Sequence, residues 1–293
     1  RKPITVAVGR LVERRTGGRY VVEEIRGLET LAAFESFLRE GGPWIGGFDL
    51  PFSQPRPLIA HEGWPTDWPA FVEFYCRRPR ERLRATFRRW CAGRPAGDKF
   101  AWRRTDKPAG SSPAMRWANP PVAWMMHAGI GRMLAAGLVF PAHDHPRPSR
   151  SRGRLGRSAR VAFEAYPGFT ARHVTRLSYK SDTPAKQTTD RRDRRRAILR
   201  ALETGVAGLE VVAEIPAACR RRIVADGAGD LLDALICGLQ AGHAWCRPRL
   251  GLPVDLDPLE GWIAAVPGSP GRGAVRSRDG RRARPRGRRS QLR

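Results

Sequence analysis

Residues 44–48, WIGGF, are small or apolar without interruption and run into Asp49, with Pro51 two positions later. A short apolar run with no alternation predicts a strand buried on both faces, as in a sheet covered by helices on each side. Pro51 stops the strand, which places Asp49 at the sheet's carboxyl edge, where open α/β sheets keep their sites. Upstream, residues 4–12 and 19–25 are β-rich and flank a turn containing Thr16, Gly17 and Gly18, the pattern of an antiparallel hairpin. Thr30 then precedes a helix whose Leu31, Phe34, Phe37 and Leu38 share one face and which Gly41, Gly42 and Pro43 end. The chain therefore opens as strand, strand, helix, strand.

From residue 54 to about 145 the pattern becomes helical, broken by Pro and Gly. Helices are predicted over 67–76 and 79–91, the second carrying Arg80, Arg82, Arg84, Arg88 and Arg89. Pro121 opens another, with Val122, Met125, Met126, Ile130, Met133 and Leu134 as its apolar face. Residues 161–166, VAFEAY, predict a second buried strand with Glu164 near its end, and helices follow over 170–177, 190–203, 217–224 and 230–245. These elements predict one domain over residues 1–267, with a helical insert at about 56–145 and a mobile basic loop at about 146–160. Residues 268–293 are Arg, Gly, Ser and Pro with too little apolar content to order themselves, and are expected to be disordered.

Charge adds a partner class. Across 293 residues, 54 Lys and Arg against 28 Asp and Glu leave +26, which attracts polyanions and predicts salt-dependent association with nucleic acid. The plainer account is Arg written onto solvated surfaces. Five cysteines, odd in number and without CxxC spacing, fit reduced thiols and a cytoplasmic location. The most apolar window, 122–140, is interrupted by His127, Arg132 and glycines, so no membrane span is expected.

The chemistry is carried by acids: Asp49 and Glu164 at strand ends, and Asp230 with Asp233, three apart on one helical face. Carboxylates gathered in this way repel unless cations neutralise them, and Mg²⁺ or Mn²⁺ prefer oxygen ligands. Two such ions about 4 Å apart activate water and stabilise a leaving oxygen in phosphodiester hydrolysis. Asp49, Glu164 and Asp233 are thus the candidate catalytic residues, joined by Asp230 as candidate metal ligands. Each acid also has a structural reading: Asp230 as a helix N-cap, Asp233 as a dipole partner, Asp49 in an Asx-turn, and Glu164 paired with an arginine. Lys180, Arg191 and Arg195 are candidates for holding nucleic-acid phosphates, with solvated helix faces as the alternative.

Several motifs occur in series: WIGGFDLPFSQP at 44–55, RTDKPAGSSP at 104–113, NPPVAWMMHAG at 119–129, FEAYPG at 163–168, SYKSD at 178–182, GDLLDALICGLQA at 229–241 and DPLEGWI at 257–263. Together they resemble a bacterial family known as domain of unknown function 429, described as predicted RNase H-like nucleases, over about residues 2–266. The resemblance implies an α/β fold with an RNase H-like mixed sheet flanked by helices and a helical insertion after the fourth strand. It implies Asp49 on that fourth strand, Glu164 on the fifth, and Asp233, with Asp230, on the last core helix. It also implies a further strand bearing an Asp just before Lys2, lying centrally between the second and fourth strands. That strand's absence from this sequence predicts unpaired edges on both neighbours, a missing metal ligand, and a chain of reduced activity and stability. Two functions are expected to compete: a divalent-metal-dependent nuclease, and a non-catalytic nucleic-acid-binding or scaffold protein on the same fold. Phosphoryl transfer to a small molecule is disfavoured by the lack of a glycine-rich phosphate loop.

Overall fold

The computed structural model describes residues 2–143 and 159–268. The predicted hairpin forms: β1 (Ile4–Glu13) pairs antiparallel with β2 (Gly18–Leu28), with a bulge between Val8 and Gly9. Thr30 caps α1 (Leu31–Leu38), its side chain accepting a hydrogen bond from the Ala33 N–H at 3.0 Å. The apolar run becomes β3 (Trp44–Phe48), which pairs in parallel with β4 (Arg160–Glu164).

Between β3 and β4 lie α2 (Arg56–His61), α3 (Trp68–Arg77), α4 (Arg80–Cys91), α5 (Asp106–Ala109) and α6 (Val122–Ala135). The Met126, Ile130 and Met133 stripe of α6 is core, packed with Phe71, Tyr75, Leu83 and Phe87. After β4 come α7 (Pro167–Ala171), α8 (Thr189–Thr204), β5 (Val211–Glu214), α9 (Ala217–Ala225) and α10 (Asp230–Cys246). The helix expected over 170–177 is replaced by α7, which Pro167 starts early. β5 was not expected; it adds in parallel to β2. The expected loop of residues 146–160 and the tail of 268–293 lie outside the described residues, save residues 159, 160 and 268.

The strands form two separate ladders, ordered β1-β2-β5 and β3-β4. Isolated parallel bridges from Val139 to Val161 and from Ile263 to Glu164 cover the far edge of β4. This is a mixed α/β arrangement in which α10 packs against β1, β2, β3, β4 and β5, spanning both ladders from one face. Contact with β3 is close because position 47 is glycine: a Cβ there would stand 2.1 Å from the Cys237 carbonyl oxygen. On the opposite face Trp44 and Phe48 pack into the core shared by α1 and α6. β1 and β3 each keep one edge with no strand beside it among the described residues. Among those residues, no helix is long and apolar enough to cross a membrane.

Candidate carboxylate site

Asp49 emerges from the carboxyl end of β3 into the cleft between β1 and β3, beside the first turn of α10 and the 178–182 segment. Asp233, near the start of α10, is 7% exposed and accepts a hydrogen bond from the Tyr179 hydroxyl at 2.5 Å. Its other oxygen accepts from Lys180 Nζ. The segment carrying these donors is fixed by Arg195, which is buried and donates to the carbonyls of Tyr179 (2.8 Å) and Val224 (3.0 Å).

Burial pushes the Asp233 carboxyl up while Lys180 and Tyr179 pull it back. Burial lowers the Lys180 ammonium, yet Asp233 and then Asp49 outweigh it and raise the group. Lys180 is therefore protonated and stands as the cation beside Asp233. Asp49 has no such partner among the described residues. Loss of hydration, followed by repulsion from Asp233, pushes it up to about 7, although Lys180 works the other way. Asp49 is nonetheless exposed to the cleft, and water there opposes the first of these causes.

Asp230 is not the helix cap. Gly229 takes the N-cap position in the left-handed region, at φ 77°, without a side-chain bond. The capping carboxylate belongs to Asp226, which accepts from the Leu231 N–H at 2.8 Å and the Ala228 N–H at 3.1 Å. Asp230 instead accepts from Lys2 at 3.1 Å, and Lys2 also pairs with Asp182.

Glu164 lies elsewhere in chemical terms. It is buried and receives both Nη atoms of Arg103, at 2.6 and 2.7 Å, plus the Phe52 N–H at 3.0 Å. Arg103 is also buried and donates to Asp106 Oδ1 at 2.8 Å. Burial pushes Glu164 up and Arg103 pulls it back, leaving a bidentate ion pair. The motifs thus divide in two. RTDKPAGSSP, FEAYPG and DPLEGWI converge on the buried Arg103 cluster, where Glu260 accepts the N–H groups of Arg56 and Arg104, both at 2.8 Å. WIGGFD, SYKSD and GDLLD converge on the open cleft.

The structure brings together only part of the expected ligand set. Asp49, Asp230 and Asp233 meet at one end of the cleft, but Glu164 has both oxygens taken by Arg103, and Lys180 and Lys2 hold Asp233 and Asp230. Among the described residues, no group of three or more His, Cys, Asp or Glu side chains can hold a metal ion. In this arrangement three of the four acids do not fit Mg²⁺ or Mn²⁺, because side-chain cations already occupy them, and Asp49 alone is left. The three candidate phosphate-holding residues are placed differently. Arg195 is buried, Lys180 is bound to Asp233, and Arg191 donates to the Lys186 carbonyl at 2.5 Å.

Cations without acids lie instead on α4. Arg80, Arg84 and Arg88 recur every four residues and so share a face, and among the described residues none is paired with a carboxylate. The guanidinium groups of Arg80 and Arg84 lie over the ring of half-buried Trp124, 5.7 and 5.8 Å from its centroid. Trp64 and Trp68 are core residues, stacked on Phe71 and His143. The basic run on α4 was legible in the sequence, but its freedom from carboxylates was not.

Comparison of the chain with protein-family models, with curated proteins and with solved structures gives no match.

Proposed function

We propose that this protein binds nucleic acid without cleaving it, through the cationic face of α4 with Trp124 as an aromatic platform. The observation that carries the reading is the division of charge. The acids expected to ligate metal, apart from Asp49, are paired with the chain's own Lys2, Lys180 and Arg103, while Arg80, Arg84 and Arg88 pair with no carboxylate among the described residues. A guanidinium row tracks a phosphate backbone, and a half-buried indole beside it supplies aromatic surface for an unstacked base. Such binding is sequence-tolerant and weakens steeply with salt. An RNase H-like arrangement of the sheet is part of the same proposal, supported by the antiparallel hairpin, the parallel β3-β4 pair and the carboxylates at their ends.

The test is fluorescence anisotropy with labelled single-stranded DNA, single-stranded RNA and duplex across a salt series. The expected result for the Arg80→Ala, Arg84→Ala, Arg88→Ala triple variant is weaker binding, with the slope of log affinity against log salt flatter by roughly one per arginine. An unchanged slope overturns the assignment to α4.

A second reading, metal-dependent phosphodiester hydrolysis, is favoured by Asp49, a carboxylate left unpaired in a cleft with its pKa pushed up to about 7. Cleavage of the same substrates with Mn²⁺ or Mg²⁺ that Asp49→Asn abolishes establishes this reading in place of the first. Cleavage that is equal in both proteins, or absent from both, removes it.

A further inference from the structure

The edges left open on the two ladders among the described residues face one another across a single slot. Along β3, the Trp44 N–H donates to the Ala159 carbonyl at 3.2 Å and the Phe48 carbonyl accepts from the Ala165 N–H at 2.9 Å. Successive peptide groups alternate sides, so those of Ile45 and Gly47 point away from β4 and into the slot. β1 presents the other wall, its far edge being paired with β2. The floor is α10, buried from Leu232 to Ala244 except at Ala234 and Gly238, and both of those residues line the slot. The roof is apolar too, built from Phe34 of α1 and Met125 of α6.

The slot is large, about 1700 Å³, against roughly 300–1,000 Å³ for small-molecule pockets. Its walls are incompletely buried in a way their composition does not explain. Every residue of the apolar β3 is only half-buried, whereas four of the five in neighbouring β4 are buried. An occupant must satisfy two rows of peptide N–H and C=O groups at strand spacing, and a peptide backbone supplies that pattern while an acyl chain or a planar ring does not.

The direction of the slot is also set. Lys2, just before β1, pairs with Asp230 at the start of α10, while Glu13 at the other end of β1 accepts from Trp245 Nε1 at 3.1 Å near the end of α10. Asp49, at the end of β3, lies with Asp233 near the start of α10. β1 and β3 therefore run in opposite directions. We propose that the slot is a strand-acceptor site: it takes one extended, uncharged, apolar peptide segment, no longer than the ten residues of β1, running parallel to β3 and antiparallel to β1. Hydrogen-bonded on both edges and covered on both faces, the segment joins the two ladders into one sheet, and helices on both sides require it to be apolar on both faces. This inference is independent of nucleic-acid binding.

The test uses the full chain and a fluorescein-labelled ten-residue peptide of Val, Ile, Thr and Ala, with two further lysines at its amino end for solubility. Its partner probe is the same peptide N-methylated at alternate residues, which removes the N–H donors facing one edge. The expected result is saturable one-to-one binding of the first peptide and a melting temperature that rises with its concentration. Hydrogen exchange should slow at Ile45, Gly47 and alternate residues of β1, and the N-methylated peptide should bind at least tenfold more weakly. Ala234→Phe, which fills the floor, should block the first peptide. Absence of binding, equal binding of both peptides, or protection outside β1 and β3 overturns the proposal. So does protection of the same amides by oleate, or by dimerisation seen in sedimentation without peptide.

Discussion

β3 and β4 are parallel neighbours, each five residues long, and each brings a carboxylate to the same end of the sheet. Their fates differ because their surroundings do. β4 has partners on both edges, its residues are buried, and Glu164 meets a guanidinium fork plus a backbone N–H. Among the described residues β3 has one partner and stays half-buried, and Asp49 opens onto a cleft without a cation of its own. A carboxylate in a completed sheet is thus drawn into the core's structure, whereas one beside an open edge keeps its charge unsettled. Position in the fold does not decide between structure and chemistry; the supply of counter-charge does.

The comparison breaks most visibly at Arg103. Arg103→Met leaves Glu164 and Asp106 buried without their cation, and unfolding in urea should show a loss of about 3–5 kcal/mol. A loss below about 1 kcal/mol would mean that water reaches the cluster. Lys180→Met removes the cation from Asp233 but leaves Tyr179, and Lys180 itself is 42% exposed, so the expected loss is smaller, about 1–2 kcal/mol.

Asp49→Asn should cost least, and its sign should depend on pH. Because the folded group titrates at about 7 against an ordinary 3.8, folding takes up a proton between those values. The stability this contributes is complete below about pH 4 and is lost as pH rises to 7. Parent and variant should therefore be nearly equal in acid, and the variant more stable at pH 8, by on the order of 1 kcal/mol once screening by the cleft's water is allowed for. Urea unfolding of both proteins at about pH 4 and pH 8 measures the difference.

Much of this was legible in the sequence, for local reasons. Thr30, the Gly17–Gly18 turn, the unalternating WIGGF run and the Leu-rich face of α10 each specify their element within a few residues. β5 was missed because it is only four residues long and its place is set by a distant partner, Gly18 to Val21 of β2. The pairing of Arg103 with Glu164 was hidden for the same reason: the residues are 61 apart in sequence and meet only once β4 is in place. Arginine abundance left open which one would pair. Asp230 was misread as a possible cap because Asp226, which performs that task, reaches the helix from before the left-handed turn at Gly229. The acids were found; which of them remain free was a question of tertiary neighbours.

The most direct test is a ¹³C carboxyl titration of Asp49 by NMR, with and without millimolar Mg²⁺. The account predicts a midpoint near 7 that Mg²⁺ leaves in place, because Lys180 and Lys2 already hold the neighbouring acids. A midpoint near 4, or one that Mg²⁺ lowers by a unit or more, would contradict it and identify Asp49 as part of a metal centre.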